Sequence, residues 1–253
     1  MSLRESTGFR NFRQQYGSTK RGLAGGILQI YSGAQPTTAD DAPNGSLLNT
    51  ITLASGTHTP ETLSSGTVTL TGGAAGSVDT ITVDSIDILG GAVNYNASLT
   101  QTAADVAAKI NTTLSSPEYT ATASGAIITI SAVPGTGTQP NTKVVVCTST
   151  TITNSTANMA SGVASVNGLT YGLSAAGVLA KSGIWSGVAV LDGTPGWFRF
   201  VRAAADASGA STTAIRIDGS ISSSSADLNI NPCTSINGIT LTIDSFTFTE
   251  AAA

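Results

Sequence analysis

Apolar and polar residues alternate along much of this chain, which is the pattern of β-strands that bury one face. Near the start, residues 27–31 and residues 47–53 are two such runs. A polar stretch rich in Pro, Asp, Asn and Gly separates them. The pattern therefore predicts a pair of strands joined by an unusually long connection, residues 32–46.

The same period of two returns in the middle of the chain. The apolar positions there are Val68 and Leu70, Ile81 and Val83, and Ile128 and Ile130. Thr and Asp residues occupy many of the positions between them, so each run is expected to bury one face and expose the other. A polar run of low charge, residues 148–168, follows, and we interpret it either as a linker or as loosely paired strands.

Residues 100–114 have helical spacing instead. We expect Thr102 to cap the N-terminus of this helix, with Asp105 returning a hydrogen bond to the cap, and Pro117 to end it. An apolar stripe recurs every four residues, formed by Val106, Ile110 and Leu114. The helix is therefore expected to lie against a sheet, which makes the middle of the chain a small α+β module of order ββαββ.

Strand patterns resume towards the C-terminus. Residues 188–191 and 197–201 flank a turn with Asp-Gly and Pro-Gly pairs, which predicts a hairpin. Residues 214–222 and 238–250 are further strand candidates, and a change of apolar phase in the second predicts a β-bulge near Ser245.

These late strands are too few to close an all-β domain, which needs about six to eight strands. We therefore expect the early strands to join them. The predicted fold class is mainly β: an antiparallel β-sandwich or barrel-like host domain with an inserted small α+β domain. The predicted bounds are a basic N-terminal arm at 1–21, the discontinuous host at 22–60 with 160–253, and the insert at 61–159, including the polar linker.

Charge is distributed unevenly in this chain of 253 residues, of which only 10% are charged. The first 21 residues carry five basic side chains and one acidic one, whereas the remainder carries six basic and fourteen acidic ones. The arm is interpreted either as a segment that docks on an acidic partner or as a solvated terminus. No nucleic-acid binding is expected, because the acidic body would repel phosphates. The candidate partner-binding residues are Arg4, Phe9, Arg10, Phe12, Arg13, Tyr16, Lys20 and Arg21.

No run of about 18 apolar residues is present, so no membrane span is expected, and the first residues lack the apolar centre of a secretory signal. The spacing of Cys147 and Cys233 is not that of a metal site, and we expect two buried free thiols.

Candidate catalytic and metal-binding residues are sparse. His58 is the only histidine, and it is interpreted as a loop residue. Asp79, Asp84 and Asp87 lack the spacing of a calcium loop. We therefore expect no catalytic residue, cofactor or metal. The aromatic residues Trp185, Trp197, Phe198 and Phe200 are interpreted as core, with a carbohydrate platform as the alternative.

Two resemblances add to this. Residues 81–130, with Ile110–Asn111 near the helix end and a hairpin at 120–130, resemble the flagellin hook IN motif of flagellar hook-associated proteins. That resemblance implies an accessory module on an extracellular or virion-surface assembly, without catalytic residues.

The second resemblance is to small virion structural proteins of tailed bacteriophages. It rests on "IYSGAQP…LLNTITL" at 30–53, "GWFR" at 196–199 and "RIDGS…ADL" at 216–228. It implies that the 32–46 connection is a displayed surface loop.

Together these observations predict a non-enzymatic capsid decoration or cement protein on the virion head, made in the host cytoplasm. Its expected partners are the major capsid protein or other virion proteins and further copies of itself, with a trimer as the expected oligomer. The alternatives are a neck, tail or baseplate component and a module that binds a host-surface glycan.

Overall fold

The computed structural model describes residues 3–202 and 206–249, and these residues are mainly β. The chain divides into two compact units. The terminal unit consists of Met1–Glu61 with Ser165–Ala253, and the middle unit of Thr62–Ala164. The description of the middle part as an inserted domain stays a prediction. None of the helices in the described ranges has the length and apolar character that crossing a membrane requires.

Short helices and strands follow one another along the whole chain. The first part contains β1 (Arg4–Glu5), α1 (Thr7–Tyr16), α2 (Thr19–Leu23), β2 (Ile27–Ser32) and β3 (Leu47–Leu53). The middle unit contains β4 (Ser65–Gly72), β5 (Ser77–Val83), β6 (Ile86–Asp87), β7 (Val93–Asn94), α3 (Leu99–Ile110), β8 (Tyr119–Ser124), β9 (Ile127–Ala132), β10 (Val145–Thr150) and β11 (Thr153–Ala160). The last part contains β12 (Thr170–Tyr171), β13 (Val178–Ser182), β14 (Trp185–Val188), β15 (Pro195–Val201), β16 (Arg216–Ser222), β17 (Leu228–Asn229), β18 (Thr240–Ile243) and β19 (Thr247–Thr249).

The early and late strands of the terminal unit form one eight-stranded sheet. Its order is β1-β16-β15-β2-β3-β14-β18, and β17 adds in parallel to β16. The early strands β2 and β3 pair with each other and lie between the late strands β15 and β14. The prediction that the two ends of the chain share a sheet is therefore confirmed.

The predicted hairpin across the Asp-Gly and Pro-Gly turn is wrong. β14 and β15 belong to the same sheet, but β2 and β3 separate them. β15 is buried on both faces along most of its length, as a central strand is. Local alternation identifies a strand but not its neighbours, and here the early strands take the positions beside it.

A three-stranded sheet, β12-β13-β19, shares the core of the eight-stranded one. The rings of Phe200 on the large sheet and Phe248 on the small one lie 5.3 Å apart. The change of phase near Ser245 is not a bulge within one strand, because β18 pairs with β14 and β19 pairs with β13. The chain changes sheets there. No closed barrel forms among the described residues, since the large sheet ends at β1 and β18.

The middle unit has two four-stranded sheets and α3. The six apolar residues that mark its predicted strands are all buried, which confirms the period-two pattern. Most of the polar run at 148–168 lies in β10 and β11, which pair antiparallel with β5 and β4. That run is therefore strand rather than linker over residues 148–150 and 153–160.

The helix ends were predicted incorrectly. Ser98 caps α3, and its Oγ accepts from the backbone N–H of Gln101 at 3.1 Å. Thr102 lies inside the helix, where its hydroxyl donates to the Ser98 carbonyl. Ser98 and Gln101 have the Ser-x-x-Gln spacing of a capping box, and this spacing identifies Ser98 rather than Thr102 as the cap. The helix ends at Ile110, so Leu114 lies beyond it and is 87% exposed, and Pro117 does not end it.

Asn111 ties the end of α3 to β8. Its side-chain Nδ2 donates to the Ala121 carbonyl, and its Oδ1 accepts from the Ala121 N–H, both at 2.8 Å. The preceding Ile110 is buried in the core of the unit. The Ile-Asn pair therefore has a structural role: one side chain fills the core and the next holds helix and sheet together.

Candidate functional site

The predicted basic arm is folded against the terminal unit. Ser6 caps α1 by accepting from the Phe9 N–H at 3.0 Å. Phe9 and Phe12 are buried in the aromatic core, and Tyr16 packs 5.6 Å from Phe12. Phe9 and Phe12 are thus not available to a partner in this conformation, because the helix buries its apolar face in its own unit.

The basic side chains of this segment lie outside the core and contact the same chain. Arg4 donates to the Pro36 carbonyl, Arg13 pairs with Glu5 at 2.5 Å, Lys20 donates to the Gly172 carbonyl at 2.9 Å, and Arg21 donates to the Tyr16 carbonyl at 3.3 Å. Arg10 is exposed and donates to the Thr7 hydroxyl. Partner binding by these residues stays a prediction.

The outer face of the large sheet, opposite the aromatic core, carries a buried ion pair. Arg199 on β15 donates from Nε and Nη2 to the two carboxylate oxygens of Asp218 on β16, each at 2.7 Å. Trp197 lies 5.3 Å from the Arg199 guanidinium and stacks on Tyr31 at 4.5 Å. One part of this network is visible in the sequence. Arg216 and Asp218 are charged residues two positions apart in one predicted strand, so they lie on the same face of that strand.

The long 32–46 connection is attached to this outer face. Arg199 donates to the Asp41 carbonyl at 3.0 Å, and Trp197 Nε1 donates to the Asn44 carbonyl at 3.1 Å. Asp40 accepts from both the N–H and the hydroxyl of Thr7 at the start of α1. These bonds explain the length and polarity of the connection, since it supplies the acceptors that buried Arg and Trp donors need.

A second ion pair extends the network. Arg216 donates from Nε to Asp206 at 2.6 Å and from Nη2 at 2.5 Å. Burial alone would raise the pKa of Asp206, but the hydrogen bonds from Arg216 and from the Ser208 N–H, with the charges of Arg216 and Arg199, outweigh it and lower that pKa. In both pairs the carboxylate oxygens accept hydrogen bonds from an arginine. Their chemistry is that of structural ion pairs.

Each candidate catalytic or metal-binding residue contacts other groups of its own unit. His58 contacts the Gly25 carbonyl through Nε2 at 2.9 Å. Asp84 pairs with Lys143, Asp79 accepts from Ser77 and Thr150, and Asp87 accepts from the Leu89 N–H. Within residues 3–202 and 206–249, no group of three or more His, Cys, Asp or Glu side chains could hold a metal ion.

The four aromatic residues considered for a carbohydrate platform are all buried, as predicted: Trp185, Phe198 and Phe200 lie in the aromatic core, and Trp197 lies on the opposite face of the sheet against Tyr31. Trp185 and Trp197 also have their indole N–H groups occupied by backbone carbonyls. A platform at these positions is therefore excluded in this conformation.

Cys147 and Cys233 are free thiols, as predicted, but both are only partly buried, so the prediction of full burial is wrong. Burial, followed by the negative charge of Asp79, raises the pKa of Cys147 to about 11. Burial also raises the pKa of Cys233. Reactive cysteines have depressed pKa values, so neither thiol has the character of a nucleophile.

The surface feature that sequence patterns missed is a set of exposed apolar side chains beside the edge strand β18. Five large apolar side chains there are each 46–59% exposed: Val188, Val190, Leu191, Ile236 and Ile239. Because β14 and β18 pair Val188 with Thr240, Val188 and Ile239 lie on opposite faces of the sheet. Hydrogen bonds join their two segments, from the Ala189 N–H to the Ile239 carbonyl and from the Gly238 N–H to the Ala189 carbonyl. We call these five residues the edge patch. Exposed apolar side chains on both faces of a sheet edge are candidates for contact with other molecules.

β18, the strand beside the edge patch, has no neighbouring strand on its outer side in the described part of the sheet. β18 has a single neighbour, β14, in the described part of the sheet. Residues 236–243, Ile-Asn-Gly-Ile-Thr-Leu-Thr-Ile, contain no charged residue and no proline. Native sheets commonly protect such edges with Lys, Pro or bulges. This edge has neither Lys nor Pro.

Comparison with known proteins gives no family assignment: no protein-family model, no curated protein and no solved structure matches this chain.

Proposed function

We propose that this chain is a non-enzymatic structural protein of a tailed-bacteriophage virion, and that it binds the head shell as a decoration or cement protein. Its partners are the major capsid protein or other virion proteins, together with further copies of the chain. In this proposal the terminal unit is a β-sandwich-like host, and the middle unit is an inserted α+β domain.

The edge patch is the observation that carries the proposal. Fully burying one large aliphatic side chain contributes about 1.5–3 kcal/mol, so burial of all five half-exposed side chains, by contacts on both faces of the sheet edge, contributes on the order of 5 kcal/mol. A protein that reinforces a shell needs additive burial of this kind against neighbouring subunits rather than a reactive cleft. The aromatic core supports the proposal further, because Ile243 of β18 and Trp185 of β14 are buried in it and hold this edge of the sheet in a defined position.

The basic side chains of residues 4–21 provide a second surface. Phe9 and Phe12 fix α1 in the core, while Arg10 points to solvent. An acidic surface on the shell would complement this helix. The role proposed for the segment is therefore a docked basic helix rather than an extended clamp.

The test is to locate the protein in purified particles of the bacteriophage that encodes it. Mass spectrometry of gradient-purified particles, with gold-labelled antibody in electron microscopy, is expected to find the chain on the head. Label on the neck, tail or baseplate would replace the head-decoration proposal with that alternative. Absence of the chain from particles would overturn the proposed function.

Two matched variants test the surface itself. Val188 and Val146 are 47% and 45% exposed strand valines, one in the edge patch and one in the middle unit. Val188→Lys is expected to reduce incorporation into particles at least tenfold, and Val146→Lys to leave it unchanged. Equal incorporation of both variants would remove the edge patch from the mechanism.

A further inference from the structure

A cavity of about 500 Å³ lies in the terminal unit, at the start of the long connection between β2 and β3. It is lined by residues 33–35 of the connection, by Arg4 of β1 and by Ser220 and Ser222 of β16. Arg4 pairs with Asp218, and the two serines follow Asp218 at a period of two, so these side chains share the outer face of the large sheet. Ligand cavities in proteins commonly have volumes of about 300–1,000 Å³.

Gln35 is the unusual residue of this cavity. Its amide oxygen Oε1 and its amide nitrogen Nε2 are both shielded from solvent, and neither has a hydrogen-bond partner among the described residues. Buried polar groups are normally paired, because an unpaired group has lost its hydrogen bonds to water without replacement. A ligand that completes this site must therefore supply one donor and one acceptor side by side.

Another carboxamide of this protein shows which group supplies both. Asn111 donates to the carbonyl of Ala121 and accepts from the N–H of Ala121, both at 2.8 Å. A residue of an extended strand presents its N–H and its C=O on the same side, as in the hydrogen-bonded pairs of antiparallel sheets. Gln35 has the same carboxamide as Asn111, so one residue of an extended peptide complements it.

Arg4 gives the cavity a positive charge. It is the one charged residue among the described residues of the lining. No carboxylate within residues 3–202 and 206–249 forms an ion pair with it. Asp218, opposite Arg4 on β16, has both of its carboxylate oxygens bound by Arg199. Arg4 donates from Nη1 to the Pro36 carbonyl, and its guanidinium carries further N–H donors that suit a carboxylate.

We propose that this cavity binds an acidic peptide segment of another protein. The backbone N–H and C=O of one peptide residue pair with the Gln35 carboxamide, and an Asp or Glu carboxylate of the same segment pairs with Arg4. The inference rests on the proposed function only for the identity of the partner, which is then a capsid protein or another virion protein. It gives Arg4 a specific role in partner binding.

The test uses the purified full-length chain and the peptide acetyl-Ala-Asp-Ala-amide. Isothermal titration calorimetry is expected to give a dissociation constant of about 1 mM or lower. The NMR signal of the Gln35 side-chain amide is expected to shift as the peptide is added. Acetyl-Ala-Asn-Ala-amide has nearly the same shape without the charge, and it should bind at least tenfold more weakly.

Two variants separate a binding role of Gln35 from a structural one. Gln35→Met keeps the length of the side chain but removes its donor and acceptor. It should reduce the affinity for the Asp peptide at least tenfold without lowering the melting temperature, because no hydrogen bond of the folded protein is lost. Gln15→Met makes the same change at an exposed position of α1, and it should leave both quantities unchanged.

Several results would contradict the site: no binding of the Asp peptide, equal binding of the Asp and Asn peptides, or an affinity that Gln35→Met does not change. A lower melting temperature of Gln35→Met would assign Gln35 a structural role instead. Binding of N-acetylneuraminic acid, a sugar with an amide and a carboxylate, in place of the peptide would also overturn the proposal.

These results are separable from failure of the proposed function. A chain that is found on virions but binds no acidic peptide would contradict only this site. A chain that binds the peptide through Gln35 but is absent from virions would contradict only the virion role.

Discussion

Arg199 and Asp218 form a two-pronged ion pair across neighbouring strands, with both side chains almost completely buried at 1% and 0% exposure. The Asp41 carbonyl accepts a hydrogen bond from Nη1, a third donor of Arg199. The pair therefore connects two central strands to the 32–46 connection. Its position explains why so polar a segment lies on the sheet instead of extending into solvent.

Replacing one partner of this pair should be costly, because the other is left as a buried, unpaired charge. We expect Asp218→Asn to lower the free energy of unfolding of the terminal unit by about 3–5 kcal/mol. Both tryptophans, Trp185 and Trp197, belong to this unit, so urea unfolding followed by tryptophan fluorescence reports on it selectively.

The control is the partly exposed pair of Arg13 and Glu5 in the same unit. Glu5→Gln should change the free energy of unfolding by at most about 1 kcal/mol, since solvent screens this pair. A similar loss in Asp218→Asn and Glu5→Gln would contradict the role assigned to the buried pair.

Asp206 should make the terminal unit sensitive to acid. Because its pKa is lowered in the folded state, it contributes stability above its unfolded pKa of about 3.9, and that contribution is lost as pH falls through the folded pKa. Asp206→Asn is expected to cost about 1–3 kcal/mol near neutral pH. The difference between the two proteins should shrink below about pH 4, as measured by urea unfolding across a pH series. A difference that stays constant down to acid pH would show that the carboxylate charge is not responsible.

Asn111 should be the least replaceable polar residue at the end of α3. Asn111→Ala leaves both the N–H and the carbonyl of Ala121 without their partners, so a loss of about 1–3 kcal/mol is expected. Hydrogen exchange at the Ala121 amide should also accelerate. Lys109→Ala, an exposed position in the same helix, should stay within about 0.5 kcal/mol. Equal effects of the two variants would contradict the link between helix and sheet.

Cys147 should react slowly with thiol reagents. With a pKa of about 11, roughly one thiol in a thousand is ionised at about pH 8, compared with roughly one in four for an unperturbed cysteine. Labelling of the Cys233→Ser variant by a disulfide reagent should therefore be on the order of 100-fold slower than labelling of free cysteine. Denaturant should restore the ordinary rate. Rapid labelling of the folded variant would show that the thiol is not protected by burial.

Short-range sequence patterns determined the existence and type of most elements. The alternation at Val68, Ile81 and Ile128 identified buried strands, because a side-chain period of two decides which face of a strand is apolar. The buried face of α3 followed in the same way from Val106 and Ile110, although its cap did not. Even the joining of early and late strands was predictable, since neither set alone could bury its apolar face.

Only the tertiary structure decided which strands are neighbours and where charges are buried. The 188–201 segment has a good local turn, yet β2 and β3 occupy the space beside β15, and pairing with them buries the core aromatics. The partners of Arg199 are Asp218, nineteen residues away, and Asp41, 158 residues away. Likewise, Val188 and Ile239 come to the same edge of the sheet, on opposite faces, only because β14 and β18 pair. The alternation of apolar and polar residues indicates which side chains of a strand are buried, but not which distant residues pair with that strand. The free energy of the assembled sheet decides the pairing.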